Sequence, residues 1–283
     1  MSMVSSAERL PGRRRTAWIP RALLYLAAIL VSLWVLVPIY LIALAAFSTQ
    51  DDVYRYPKKL LPTNLSTETV SFFLNSEGVY GSLVRSVVVA VGMLILTMAI
   101  GTPAGYALAR FAFRGADTFR LGLVSTRAFP VLIIAIPLSV TYLRLGIDDS
   151  ELGVILAHTA FGLPFAVLVT ASVFAGISVE LEEAAMTLGC NRASAFSRVV
   201  LPLALPGLAA AAIFVFIVSW NEVFAASVLT LRDRTLPAQV LSTLEGSPLP
   251  YKFAGGFFLL APAFLVIFVI RKYVFNMWGR TVR

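Results

Sequence analysis

Apolar residues gather in six long runs, at about 22–47, 83–109, 119–143, 152–176, 203–231 and 253–275. Each exceeds the roughly 20 residues that carry a helix across ~30 Å of hydrocarbon. Backbone groups in lipid must bond within their own segment, so the runs are predicted as helices. Barrel strands would be shorter and would alternate in polarity. The first run follows Arg13, Arg14 and Arg15, and Ala43-Leu44-Ala45 imitates a signal-cleavage site. Its apolar stretch is longer than the roughly 7–15 residues of a signal, so a retained helix is expected.

Composition agrees with the pattern. The chain has 283 residues, of which 59% are hydrophobic and 13% charged, where a soluble domain is nearer half apolar and about a quarter charged. The mean hydropathy is +0.85. One cysteine, Cys190, and one histidine, His158, leave no internal disulfide and too few Cys/His ligands for a metal site of that kind.

The net charge of +8 would fit nucleic acid, but the positions of the charges argue for a membrane. With the N-terminus inside, fourteen Lys and Arg residues fall on the inner side and seven on the outer, with Arg85 and Arg127 inside runs. That bias predicts an N-in, C-in topology and no nucleic-acid partner. The expected organisation is a cytoplasmic tail over 1–21, a first transmembrane helix and outer loop over 22–79, a transmembrane core over 80–275, and a cytoplasmic tail over 276–283.

The runs contain many helix breakers, including Pro103, Pro130, Pro137, Pro164, Pro206 and Pro262, which remove backbone bonds and favour kinks. Gly101 and Gly105 form a GxxxG pair suited to close helix packing. Two readings stay open: tight packing alone, or kinked helices lining a path that opens and closes.

The inner loop at 177–201 carries the most information. Ser178 suits an N-cap, and Leu181, Ala184 or Ala185, and Leu188 share one stripe. Glu180, Glu182 and Glu183 stand in the first turns, where acids suit the helix dipole. Gly189 is a candidate terminator, and a second short helix is expected from about Ala193 to Leu201, stopped by Pro202. A helix lying on the anionic inner leaflet would carry Lys and Arg rather than three glutamates. A solvated connector would gain nothing from Leu181, Leu188 and Phe196. An apolar stripe with small alanines suits docking into a groove on another protein.

Glu183-Ala184-Ala185, three residues, Gly189, then Phe196, Val199, Leu201 and Pro202 resemble the EAA loop of ABC-importer permeases. The spacing matches, and departures fall at Leu188 and Cys190. Tyr106-Ala-Leu-Ala-Arg-Phe-Ala-Phe-Arg-Gly115, Phe161-Gly-Leu-Pro-Phe165 and Trp220-Asn221-Glu222 are similar to segments of carbohydrate permeases of the maltose type. The resemblance implies an all-α integral membrane protein with six transmembrane helices, in the type I ABC-importer permease fold of the bacterial inner membrane. Its implied partners are an ABC ATPase dimer, a second permease subunit and an extracytoplasmic solute-binding protein, besides the lipid bilayer.

The implied function is uptake of a sugar, polyol or related solute by alternating access. Glu183 would anchor the loop to the ATPase, Ala184 and Ala185 would permit close approach, and Gly189 would supply the elbow. Leu188, Phe196, Leu201 and Pro202 complete the candidate coupling set. No phosphate-cradling G-x-x-x-x-G-K-[ST] occurs, so no cofactor is expected on this chain, with ATP and Mg held by the partner ATPase.

Arg127, Asn221 and Glu222 are candidates for the translocation path, since polar residues inside spans are functional by default. Arg127 has three open readings: pairing with Glu222, touching an oxygen-rich or anionic solute in a wet cavity, or a structural partner. His158 is expected to serve packing or hydrogen bonding, and Arg85 to snorkel outward. An ion-coupled secondary transporter would place paired acids near the midplane, and a membrane enzyme would need a catalytic constellation. Glu222 alone, near the outer end of its run, suits neither.

Overall fold

The structure, a computed structural model, describes residues 21–58, 60–61 and 65–278. The expected tail over 1–21, all but its last residue, and the end of the tail over 276–283 lie outside those residues. The described residues form helices and connecting turns without strands. The elements are α1 (Arg21–Ala46), α2 (Gln50–Tyr54), α3 (Glu68–Leu74), α4 (Val79–Arg110), α5 (Ala116–Thr126), α6 (Val131–Leu145), α7 (Glu151–Ala175) and α8 (Val179–Thr187). There follow α9 (Arg192–Ala195), a π-helical turn (Phe196–Val200), α10 (Leu201–Trp220), α11 (Phe224–Leu229), α12 (Leu236–Thr243) and α13 (Leu249–Trp278).

Four helical stretches are long and apolar enough to cross a bilayer by themselves: Ala22–Ala46, Val79–Arg110, Glu151–Ala175 and Arg192–Trp220. The sixth run lies on α13, a helix of 30 residues.

The third run is not the single straight span its apolar length suggests. It divides into α5 and α6, bent by 87°. Pro130 disfavours helix at Phe129 and offers no N–H of its own. The end of α5 tightens instead, with Arg127 N bonding Val124 O at 3.1 Å and Ala128 N bonding Ser125 O at 3.0 Å.

The fifth run also departs from expectation. Its helix ends at Trp220, and α11 follows a break at Asn221–Val223. At the other end Pro202 does not stop the chain: helix continues from Arg192 into α10. The turn before it is π-helical, with Leu201 N bonding Phe196 O. That wider ladder relieves the clash a proline ring makes with the carbonyl four residues back. The first connecting loop is also more ordered than its polar composition suggests, since it carries α2 and α3.

The centre of the bundle is the contact of α4 with α7. Gly101 and Gly105 face Ala166, Thr170 and Ala171, and a Cβ at Gly105 would lie 2.7 Å from Ala171 N and inside the Thr170 side chain. Thr170 Oγ1 donates to Gly101 O at 2.9 Å, which satisfies the hydroxyl inside the apolar contact. α10 crosses this pair. At one end Tyr106, Phe174, Val200, Ala204 and Leu208 form a core. At the other, Phe73, Trp220, Leu236 and Tyr251 form a second. Trp220 Nε1 donates to Leu259 O at 3.0 Å, pinning α10 to α13. Most of α1 turns large apolar side chains outward, Trp34 at 84% exposure among them, as a lipid-facing or partner-facing helix requires.

Candidate functional site

The loop between α7 and α10 is built by local rules. Ser178 Oγ accepts from Glu180 N at 3.2 Å and starts α8. The helix ends in a Schellman arrangement: Cys190 N bonds Ala185 O at 3.1 Å and Gly189 N bonds Met186 O at 3.0 Å. Gly189 takes φ +96°, a conformation that carries a steric cost for residues with a Cβ. Asn191 Oδ1 then accepts from Ser194 N at 2.8 Å and starts α9. The short helix α8 and the elbow at 189–191 are what the sequence predicts; the second helix, expected to be short, runs on into α10.

The eight candidate coupling residues separate into two sets. Glu183, Ala184, Leu188 and Gly189 are exposed, and Leu188 is 88% exposed. With Leu181 at 47% exposure they make an outward apolar strip, with the exposed acids Glu180 and Glu183 on the same helix. Ala185 turns inward and is buried, so Ala184 rather than Ala185 completes the outer stripe. Phe196 is half-buried, its ring 4.6 Å from that of Tyr106. Leu201 is half-buried and Pro202 exposed at the start of α10.

Behind the strip lies a cluster that the sequence reading missed. Glu182 is 4% exposed. One carboxylate oxygen accepts from Tyr106 Oη, and the other accepts from Arg110 Nε at 3.1 Å. Arg110 Nη2 also donates to Ile177 O at 2.9 Å. Tyr106 packs edge-on against Phe174 at 5.5 Å. Tyr106 and Arg110 stand four residues apart on the last turns of α4, hence on one face. That spacing was legible, but its partner lies 72 residues from Arg110 in sequence. Glu182 therefore does more than complement a helix dipole: it is a buried, fully bonded anion.

The path candidates do not converge on a pair. Arg127 ends α5 at the bend with α6 and is exposed. Its guanidinium lies 5.3 Å over the Phe165 ring, which stacks on Phe214 at 4.0 Å. Asn221 is exposed and donates through Nδ2 to Ile217 O at 3.0 Å, closing α10. Glu222 caps α11, accepting from Ala225 N at 2.8 Å and from Ala226 N at 3.0 Å. It also accepts from His158 Nε2 at 3.2 Å, while Nδ1 of that ring meets Ser219 Oγ at 2.9 Å. The Arg127–Glu222 pair is thus replaced by a cation over aromatics and a half-buried helix cap. His158 is a buried hydrogen-bonding residue, as expected.

At the far end from α8, Arg85 does not simply reach for solvent. It pairs with Glu151 at 3.6 Å and with Asp233. Asp149, at φ +49°, turns its carboxylate onto the backbone N–H groups of Leu231 at 2.8 Å, Arg232 at 3.0 Å and Asp233 at 3.1 Å. Burial alone would raise its pKa, but those N–H groups and the Arg232 charge hold it below the usual carboxylate range. Ser86 Oγ accepts from Leu236 N at 2.7 Å and fixes the start of α12.

Residues 101–280 match the family described as binding-protein-dependent transport system inner membrane component. The diacetylchitobiose uptake system permease protein NgcG of Streptomyces coelicolor is 31% identical over 235 residues, covering 83% of this chain and 76% of that one. The trehalose transport system permease protein SugB of Mycobacterium tuberculosis is 28% identical over 267 residues, covering 92% and 94%. Among known structures, a bacterial ABC transporter involved in the import of the acidic polysaccharide alginate has a chain with a TM-score of 0.74 at 23% identity, covering 93% and 99%. That likeness is one of fold.

Proposed function

The chain belongs to the family of binding-protein-dependent transport system inner membrane components, and from that premise we propose that it is the permease subunit of an ATP-driven importer for a sugar, polyol or related solute. The observation that carries this reading is the outward strip on α8. Leu181, Ala184 and Leu188 form an exposed apolar stripe with Glu183 beside it, on a helix that is itself firmly capped. Such a strip suits a groove on a partner protein, which here is the ATPase dimer. ATP and Mg belong to that partner, and this chain transmits the work rather than hydrolysing nucleotide. The solute class follows the two relatives named for diacetylchitobiose and trehalose.

The assembly pairs this chain with a second permease subunit and receives solute from an extracytoplasmic binding protein. The chain crosses the membrane six times with both termini inside, counting the bent α5–α6 pair as one crossing and α13 as the last. The α8 end then faces the cytoplasm, and the loop held by Asp149 faces the binding protein. Closure of the ATPases moves α8 and shifts the spans between inward-open and outward-open arrangements. Residues 22–79 form the first helix and its outer loop, and 80–275 the transport core.

Arg127 and Asn221, both exposed, are the side chains assigned to the path; Arg127 over Phe165 offers a cation and a ring face to a hydroxyl-rich solute. Glu222 serves the path by holding the α10–α11 break. An ion-coupled mechanism draws no support from the geometry, since Glu222 is occupied by His158 and by the α11 backbone.

The test is Glu183→Lys. The variant is expected to insert in the membrane and to lose uptake, because the reversed charge opposes docking. Membrane fractionation and solute uptake in cells measure both, and uptake at the wild-type level would remove Glu183 from the coupling role.

A further inference from the structure

On the reading of this chain as a permease subunit, we propose that Glu182 is the positioning residue that transmits motion of α8 to the transmembrane bundle, separate from the surface that docks on the ATPase. Three observations carry it. Among the described residues, the Glu182 carboxylate makes the side-chain hydrogen bonds that join α8 to the long helix α4; the remaining side-chain bonds of α8 and its cap are local. Both carboxylate oxygens are engaged, and the side chains of Glu182 and Arg110 are 5% and 6% exposed. The two groups that engage it, Tyr106 and Arg110, lie on the last turns of α4.

Charge-assisted bonds in a water-poor site are short-ranged and strong, and displacing either partner leaves an uncompensated charge. The two elements therefore move together. Arg110 also holds Ile177 O, at the entry to the loop, and the Tyr106 ring meets Phe196, beyond the elbow. So α4 grips the loop before, on and after α8. Motion taken up by α4 passes to α7, because Gly101 and Gly105 leave no slack between the two helices. Glu183, one residue away, points outward and has no part in this grip. Docking and transmission thus fall to adjacent residues of one short helix, one exposed and the other buried.

The experiment uses the reconstituted complex with its ATPase, and MgATP with vanadate as the probe. One fluorophore is placed on Cys190, the native cysteine at the elbow. In a second preparation it is placed on Gly246→Cys in a Cys190→Ser background; Gly246 is at the far end, with open space around it. In the wild type both labels respond to the trapped nucleotide. In Glu182→Gln the Cys190 label still responds, whereas the response at position 246 falls about tenfold, the range of a coupling of this kind. A position-246 response equal to wild type overturns the proposal. So does loss of the Cys190 response, which would make Glu182 part of docking. Should Glu182→Gln fail to assemble, Tyr106→Phe decides, since it removes only the hydroxyl and keeps the ring packing. It is expected to lower the far-end response about threefold, and an unchanged response overturns the proposal. A wild-type complex whose Cys190 label ignores nucleotide would instead refute the permease reading itself.

Discussion

Gly105 and Gly189 are glycines for different reasons, and substitution separates them. At Gly105 a methyl group would meet the Thr170 side chain and Ala171 N across the α4–α7 contact. Gly105→Ala is therefore expected to destabilise the bundle by about 1–3 kcal/mol, the cost of overpacking a close contact. At Gly189 nothing lies within 4 Å of an added Cβ, and the penalty is conformational alone, from φ +96°. Gly189→Ala should cost roughly 1 kcal/mol, and Gly189→Asn less, since asparagine tolerates the left-handed region better. Thermal unfolding of the purified variants orders them: Gly105→Ala lowest, then Gly189→Ala, then Gly189→Asn. A Gly189→Ala variant less stable than Gly105→Ala would mean that the elbow bears on more than its own backbone. The GxxxG spacing and the terminator glycine were both legible, because each is a rule about neighbours in sequence. Thr170, which gives Gly105 its meaning, was not.

The same division holds for whole elements. α8 and its elbow were readable from Ser178, Gly189 and the apolar spacing, since caps and stripes are local. The breaks at Arg127–Pro130 and Asn221–Val223 were not, because a hydropathy run measures only how apolar a stretch is. Pro130 was visible, but a proline kinks some helices and ends others according to tertiary context. Glu222 shows what sets the second break. Its carboxylate satisfies Ala225 N and Ala226 N and faces His158, so the new helix start is supplied by a side chain from the break itself. Glu222→Ala is expected to cost about 0.5–2 kcal/mol for the lost cap, and to leave the buried His158 ring short of a partner. Hydrogen exchange at Ala225 and Ala226 should quicken in this variant while exchange in the middle of α4 stays as in wild type. Equal protection at Ala225 and Ala226 would show that packing, not the cap, sets the break.

At the scale of the whole molecule, the two ends are built differently. The α8 end is secured by side chains of α4 that grip a helix exposed on its outer face. The far end is secured by one acid that gathers the backbone of the segment after α11. Asp149 joins the α6–α7 turn to residues 231–233, while Arg85 joins α4 to Glu151 and Asp233. The polar far-end loop was readable as a loop; its closure by a residue 82 positions earlier was not, because no local rule connects them. This clamp should respond to pH in a fixed direction. The folded pKa of Asp149 lies below its ordinary value. The stabilisation it brings is complete above the ordinary carboxylate range and is lost as pH falls through the lowered value. Asp149→Asn imitates the protonated state at neutral pH and can keep the positive φ, so it removes the charge with little backbone cost. Hydrogen exchange at Leu231, Arg232 and Asp233, corrected for the intrinsic rate, should be flat with pH above the carboxylate range in the wild type and quicken below it. In Asp149→Asn the exchange should be fast throughout and free of that step. A wild-type step that survives in Asp149→Asn would mean that Asp149 does not set the pH dependence, and the clamp would then rest on contacts other than its carboxylate.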